Sequence, residues 1–378
     1  MPTIQSIEVC VARVPLDKVT YLSNRTVVDR HYGLVKIRST DGVEGIALAR
    51  RLRTADWAAA SVEEGGQFHR VLVLEDVGVL RMTRAHEVGA APAARWAPER
   101  DPAAHLPRRL ALLDGLAAAL AERRVPWTVP IALSDPVPAG PGAAVLQRFL
   151  PGGPHPPHEG DPAVLRGVLD DLAAVDVTDP RIAPHLGRPF AFRGPWTPER
   201  ARHVAALPGT VAARLGAWEG HDVDARLGAE AWPDAVAALA DAVTTWTAAP
   251  PVPPSLVHGD LAGHNMRWRA VPEDEDPRAR LRWTLAGVLD WDLACAWDPA
   301  LNVAYLALWH GEEKVPDLAR DAADARRARV WLGAMALETL DDAAARDAIV
   351  GGLAAGSWRR LLRKTLPRVA RALAALDG

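Results

Sequence analysis

Two cysteines, Cys10 and Cys295, are all that the 378 residues contain. That is too few for a disulfide framework or a cysteine-based zinc site. A basic excess is missing too: 44 Lys and Arg stand against 47 Asp and Glu, a formal charge of -3, which argues against nucleic acid as the main partner. No run of eighteen uninterrupted apolar residues occurs, so no membrane span is expected. The first residues show no basic segment followed by an apolar stretch; they do not read as a secretion signal, and the cytoplasm is the expected location. Internal repeats are absent. What is there is the balance of an ordinary globular chain, 49% apolar and 24% charged, long enough for two or three domains. The 32 prolines cluster around 92–107, 134–142, 151–162 and 249–254, where they mark loops and element boundaries.

Residues 1–54 differ in character from the rest. Ile4, Ile7, Val9 and Val11 roughly alternate with polar residues, the pattern of a half-buried strand. Farther on, Asp41-Gly42 separates Leu34–Arg38 from Val43–Ala47, a strong hairpin signal between two β-rich runs. An antiparallel meander is expected here. The run from Val14 to Ala49 resembles the start of the capping domain of the mandelate racemase and muconate-lactonising family. That family carries its catalytic groups on a following (β/α)8 barrel, for which this chain leaves no room. No chemistry is expected from residues 1–54.

From Trp57 the pattern changes. Gly65-Gly66 precedes Val71–Leu74, and after Glu75-Asp76 comes Val77–Arg84, which reads as strand, glycine turn, strand, short turn, strand. Leucines at 106, 110, 113, 116 and 120 have helical spacing. Two further strands are expected at 131–137 and 143–149, giving a five-stranded sheet with one helix. After Pro151 the chain reads as helices near 162–175, 198–217, 233–247, 299–309, 317–347 and 356–376. Strands first and helices later predict an α+β protein with two lobes.

The chemistry concentrates between His258 and Asp298. The apolar lead-in Leu256-Val257 delivers His258-Gly259-Asp260 to a loop, Asn265 follows Asp260 by five, and the run Trp283–Leu289 ends in Asp290. Phosphoryl transfer asks for positioning and charge neutralisation more than covalent help. One carboxylate orients an acceptor hydroxyl and takes its proton; a second carboxylate and an amide oxygen hold Mg²⁺ on the phosphates. Asp260, Asp290 and Asn265 supply this set in the chain order that kinases use. A hairpin between Asn265 and Asp290 would fold them back together. His258 reads as a residue that fixes the loop. The Asp290-x-Asp292 spacing also opens haloacid-dehalogenase-type phosphatases, but only 88 residues follow Asp290, and they read helical.

These residues resemble the aminoglycoside phosphotransferase family, which includes choline-kinase-like and fructosamine-kinase-like enzymes. The likeness runs over about residues 57–378, through Asp298-Pro299 ahead of an apolar helix. It implies a two-lobed protein-kinase-like fold with the β-meander as an N-terminal extra, divided as 1–54, a nucleotide-binding lobe 55–150 and a helical lobe 151–378. It further implies Asp260 as catalytic base, and Asn265 and Asp290 as Mg²⁺ ligands. ATP or GTP would be the co-substrate, and a small molecule the acceptor. Gly65 and Gly66 resemble the nucleotide loop and Arg81 the phosphate-contacting cation. Arg148, Phe149 and Leu150 resemble the segment that contacts the adenine.

Three positions depart from the family pattern. Arg81 stands where Lys is common, Arg109 lies near the place of a partner carboxylate (with Glu99 a possible substitute), and Asn302 replaces an Asp. They keep open a second reading, a nucleotide-binding module without turnover. Asp292, Glu312, Glu313 and Glu338, with Trp297, Trp309 and Trp331, would suit a cationic acceptor such as an aminoglycoside.

Overall fold

The computed structural model of the protein describes residues 4–22, 25–39, 61–63, 69–74, 77–83, 102–139, 142–187, 196–216, 231–246, 252–272, 281–350 and 355–377. Its contacts divide the chain into two compact units, Met1–Ala117 with Val129–Pro151, and Ala118–Thr128 with Gly152–Gly378. Both helices and strands contribute, in an α+β arrangement.

In the first unit, β1 (Ile4–Leu22) and β2 (Arg25–Ser39) form a two-stranded antiparallel ladder. The sequence pattern captured only the start of β1. The ladder absorbs Pro15 at a register shift between Pro15 and Thr20, an irregularity that a strict alternation test does not anticipate. Asp41-Gly42, Gly65, Gly66 and Glu99 lie outside the described residues.

β3 (Ser61–Glu63), β4 (His69–Leu74), β5 (Gly78–Thr83), β6 (Val137–Ala139) and β7 (Gly142–Gln147) form one antiparallel sheet in the order β3-β4-β5-β7-β6. Leu74, Leu80, Ala144 and Leu146 make its buried cluster. The β4–β5 turn is tight, closed by Val77 N–H on the Leu74 carbonyl at 2.8 Å. The strand expected over 131–137 is shorter. Residues 131–133 run beside β7 through Leu133 N–H to Leu146 O at 2.7 Å and Arg148 N–H to Ile131 O at 2.9 Å. Regular pairing resumes only at Val137. Pro130, Pro136 and Pro138 lack the N–H that a continuous ladder needs. Helix α1 (Pro102–Glu122) buries the five leucines singled out by their spacing.

The second unit holds the remaining helices. α2 (Pro162–Ala173) starts with Pro162 at its first position and Asp161 as cap, whose carboxylate accepts from Ala163 N–H at 2.8 Å. The single helix expected over 198–217 is two, α3 (Pro198–Ala205) and α4 (Leu207–Gly216). Pro208 has no N–H to offer the Val204 carbonyl, and its ring crowds the preceding turn, so the helix restarts. α5 (Ala231–Trp246) follows.

Next come β8 (Ser255–Val257), β9 (Met266–Pro272), β10 (Leu281–Val288) and β11 (Cys295–Trp297), which pair as β8–β11 and β9–β10, both antiparallel. α6 (Ala300–His310), the short α7 (Val315–Leu318), α8 (Ala322–Val350) and α9 (Ala355–Asp377) complete the unit. α9 buries Trp358, Leu362, Leu366, Val369 and Ala372, a helical stripe that packs on α8. The two backbones come close at Gly333, where an added Cβ would fall 2.3 Å from that of Ala372.

Candidate active site

β8 is only three residues long, but Leu256 and Val257 are fully buried and anchor it against β11. It delivers His258, itself fully buried, into the loop. Three hydrogen bonds fix this residue. Its backbone N–H donates to Asn302 Oδ1 at 3.1 Å, its Nε2 to the Leu289 carbonyl at 2.8 Å, and its Nδ1 accepts from Asp260 N–H at 3.2 Å. An N–H aimed at Nδ1 requires a lone pair there, so the ring carries its proton on Nε2. The imidazole also lies edge-on to Trp291, ring centroids 4.6 Å apart. His258 is thus a brace for the loop, as the sequence suggested. Gly259 turns the chain at φ +85°, and a Cβ there would meet the Leu293 carbonyl at 2.4 Å; only glycine fits.

The turn leaves the Asp260 side chain about one-third exposed. Asn265, 6% exposed, points its Nδ2 at Asp260, donating to the backbone oxygen at 2.9 Å and to Oδ2 at 3.2 Å. Both partners are acceptors, so the amide orientation follows, and Asn265 Oδ1 is directed away from Asp260. His264 Nε2 lies 3.8 Å from the same Asp260 oxygen. Trp309 of α6 covers this loop: a Cβ on Gly263 would fall 2.1 Å from the indole Nε1, and the ring sits 5.7 Å from that of His264.

The β9–β10 hairpin closes the constellation. Its last pair is Val288 with Met266, and Leu289 N–H then donates to the Asn265 carbonyl at 2.7 Å. Asp290 comes next, exposed and in the left-handed conformation at φ 60°, ψ 59°. It follows the strand rather than ending it. Both hairpin edges are covered, by Gly153 exchanging two hydrogen bonds with Trp268 and by Thr128 exchanging two with Ala286 and Val288. Asp290 is thus the residue after the one that hydrogen-bonds to the Asn265 backbone, and both side chains carry hard oxygen donors of the kind Mg²⁺ takes. Gly152, at φ +111°, sits where a Cβ would meet the Trp268 carbonyl at 2.4 Å.

Behind the loop, Asp298 is fully buried. Its Oδ1 accepts from Ala300 N–H at 3.0 Å and Arg327 Nε at 3.2 Å, and its Oδ2 from Trp331 Nε1 at 3.0 Å. Asn302 Nδ2 donates to the Leu256 carbonyl at 2.9 Å. These contacts from α6 and α8 were not foreseen in the sequence; the partners lie 29 to 46 residues apart in the chain.

In the first unit, Arg81 on β5 is half-buried, with Nη2 3.0 Å from His69 Nδ1. A guanidinium has only donors, so His69 accepts. The contact follows from register: His69 faces Thr83 and Arg81 faces Val71, making His69 and Arg81 diagonal neighbours on one face. The hairpin register held this signal. Arg109 on α1 is buried, 7% exposed. Arg148 is exposed, Phe149 half-buried and Leu150 buried, in an irregular stretch after β7.

The expected acceptor-side set divides. Glu338 is fully buried and accepts from Trp196 Nε1 at 2.6 Å, with Arg200 3.6 Å away. Trp331 is buried, bound to Asp298. Both tie helices together, so neither serves as an acceptor contact. Glu312 is engaged by Arg368 and Arg371. Asp292 is half-buried beside the loop and Glu313 is exposed.

A buried His-Gly pair that turns the chain to a one-third-exposed Asp, an Asn five residues on and a hairpin that leads to a second Asp are the pattern to which the sequence pointed. Residues 61–337 match the sequence model of the Phosphotransferase enzyme family, and the chain belongs to that family. A viomycin phosphotransferase from Streptomyces vinaceus is 39% identical over 66 residues. That stretch covers 18% of this chain and 20% of the relative, so the chain spans about a fifth of the length of the curated relative it matches. Among solved structures, the GDP complex of an aminoglycoside 2'-phosphotransferase-IIIa variant superposes with a TM-score of 0.52 at 15% identity, covering 87% of this chain and 95% of that one. The GDP and kanamycin complex of APH(2")-IIIa gives 0.50 at 16% identity, over 86% and 96%. The shared fold is the protein-kinase-like one.

Proposed function

We propose that the chain transfers the γ-phosphoryl group of ATP or GTP to a hydroxyl of a small molecule, with Asp260 as the base. The observation that carries this reading is the lock between Asp260 and Asn265. The Asn265 amide holds Asp260 Oδ2 at 3.2 Å while the braced His258 holds the Asp260 backbone, leaving Oδ1 to accept a proton from the acceptor hydroxyl. Fixing a base this way converts random encounter into a positioned attack. Asn265, through Oδ1, and Asp290, through its carboxylate, would hold Mg²⁺, which when bound neutralises charge on the transferred phosphates. Arg81 is read as the phosphate-contacting cation, Gly65 and Gly66 as part of the nucleotide loop, and Arg148, Phe149 and Leu150 as the base-contacting segment.

Residues before 61 lie outside the family match. We read residues 1–54, with their likeness to a capping segment, as an appendage without chemistry. The acceptor is a small molecule; an aminoglycoside or a related amine is one candidate class, supported by Asp292 but no longer by Glu338.

Purified protein incubated with Mg·ATP and Mg·GTP across a panel of aminoglycosides, peptide antibiotics and amino alcohols should yield a product heavier by one phosphoryl group. The second reading, a nucleotide-binding module without turnover, is motivated by Arg81 and by the buried Arg109. It predicts thermal stabilisation by nucleotide with no product from any acceptor.

A further inference from the structure

A cavity of about 500 Å³ opens at the C-terminal end of α6, walled also by α8 and α9. That volume is typical of small-molecule sites, which run to roughly 300–1,000 Å³. His158, Glu312, Glu313, Arg329, Arg368 and Arg371 line it, three guanidiniums against two carboxylates. Glu312 offers little charge to a ligand, because Oε1 accepts from Arg368 Nε and Oε2 from Arg371 Nη2.

Arg329 stands apart. Its neighbours on α8 are committed elsewhere, Arg326 to the carbonyls of Ala375 and Leu376, and Arg327 to Asp298 and Asp324. Among the described residues, the ion pairs of the cavity wall use Arg368 and Arg371 and leave Arg329 out. Its side chain is half-buried and borders the open space. A guanidinium removed from bulk water wants a counter-charge, and its planar fork matches a carboxylate or phosphate with two parallel hydrogen bonds.

We propose that this cavity binds a small molecule bearing a carboxylate or phosphate group, seated on Arg329 beside the Arg368–Glu312–Arg371 clamp. Glu313, the remaining carboxylate, opposes an anion and favours a ligand that carries an amine as well. The cavity shares α6 with the catalytic loop: Ala307, Leu308 and Gly311 wall it, while Trp309 of the same helix packs on Gly263. The inference goes beyond the phosphotransferase reading and does not rest on it.

The test is calorimetry on the full chain with succinate and with inorganic phosphate as probes, each in the presence of saturating ADP to keep the probe out of the nucleotide site. At least one probe should bind, and Arg329→Gln should weaken it tenfold or more with the heat of ADP binding unchanged. Binding of succinate alone identifies the carboxylate as the group recognised, and binding of phosphate alone the phosphoryl group. Arg329→Lys, which keeps the charge and loses the fork, should fall between. Should Arg329→Gln fail to fold, Glu313→Gln gives the second readout, a twofold or greater tightening of the same probe. The proposal is overturned if neither probe binds the wild-type chain, if Arg329→Gln binds as well as wild type, or if Glu313→Gln leaves the affinity unchanged. Because ADP binding is read separately, a failure of the nucleotide reading does not mimic any of these results.

Discussion

At the scale of single residues, Asn302 explains a departure that the sequence left open. Its amide accepts from His258 N–H and donates to the Leu256 carbonyl, in a side chain 2% exposed. One acceptor and one donor are needed at once, and a carboxylate offers no donor. Asn302→Asp should therefore set an oxygen against the Leu256 carbonyl and cost about 1–3 kcal/mol, read as a lower midpoint in urea unfolding; an unchanged midpoint would contradict this account. His310 is a second case. It is fully buried with its ring 5.2 Å from that of His155. Burial, with smaller contributions from the nearby His155, Lys314 and His158, pulls its pKa from 6.5 down to about 4. The fold holds the neutral ring, so its contribution to stability is intact above the unfolded value and is lost as pH falls from about 6.5 toward 4. The loss amounts to at most about 3–4 kcal/mol. Thermal melts between pH 7 and 4 should show a decline that His310→Leu reduces.

At the scale of elements, the helices were legible where leucine spacing was regular, as in α1, and the β9–β10 hairpin was legible because an apolar run ending in Asp290 follows the His-Gly-Asp loop and Asn265. What could not be read has physical reasons. A missing proline N–H divides α3 from α4 and shortens the pairing before β6. The partners of Asp298 and Asn302 sit on elements distant in sequence, brought together only by packing. The Arg81–His69 contact needed the β4–β5 register, which a strand pattern alone does not give. α6 illustrates the consequence. Asp298, just before it, ties Arg327 and Trp331 of α8 to the start of α6, and Asn302 of α6 holds His258 and Leu256. Asp298→Ala leaves the buried Trp331 Nε1 without its acceptor and Arg327 with Asp324 alone, and should cost about 1–3 kcal/mol. Urea unfolding checks this, and an unchanged midpoint would contradict it.

At the scale of the whole molecule, the proposed roles are distributed over the two units. Arg81 and residues 148–150 belong to the first, and Asp260, Asn265 and Asp290 to the second. That division predicts a division in kinetics. Arg81→Gln, which removes a charged donor from the nucleotide side, should raise the KM for nucleotide about tenfold or more and leave Asp260 chemistry in place. Changes in the second unit should act on turnover. The most direct measurement is the pair kcat and nucleotide Kd for Asp260→Ala beside wild type, with any acceptor that the panel reveals. The account predicts that kcat falls by at least about a hundredfold while the nucleotide Kd stays within about twofold. Retained turnover in Asp260→Ala would contradict the assignment of Asp260 as the base, and with it the central reading of the site.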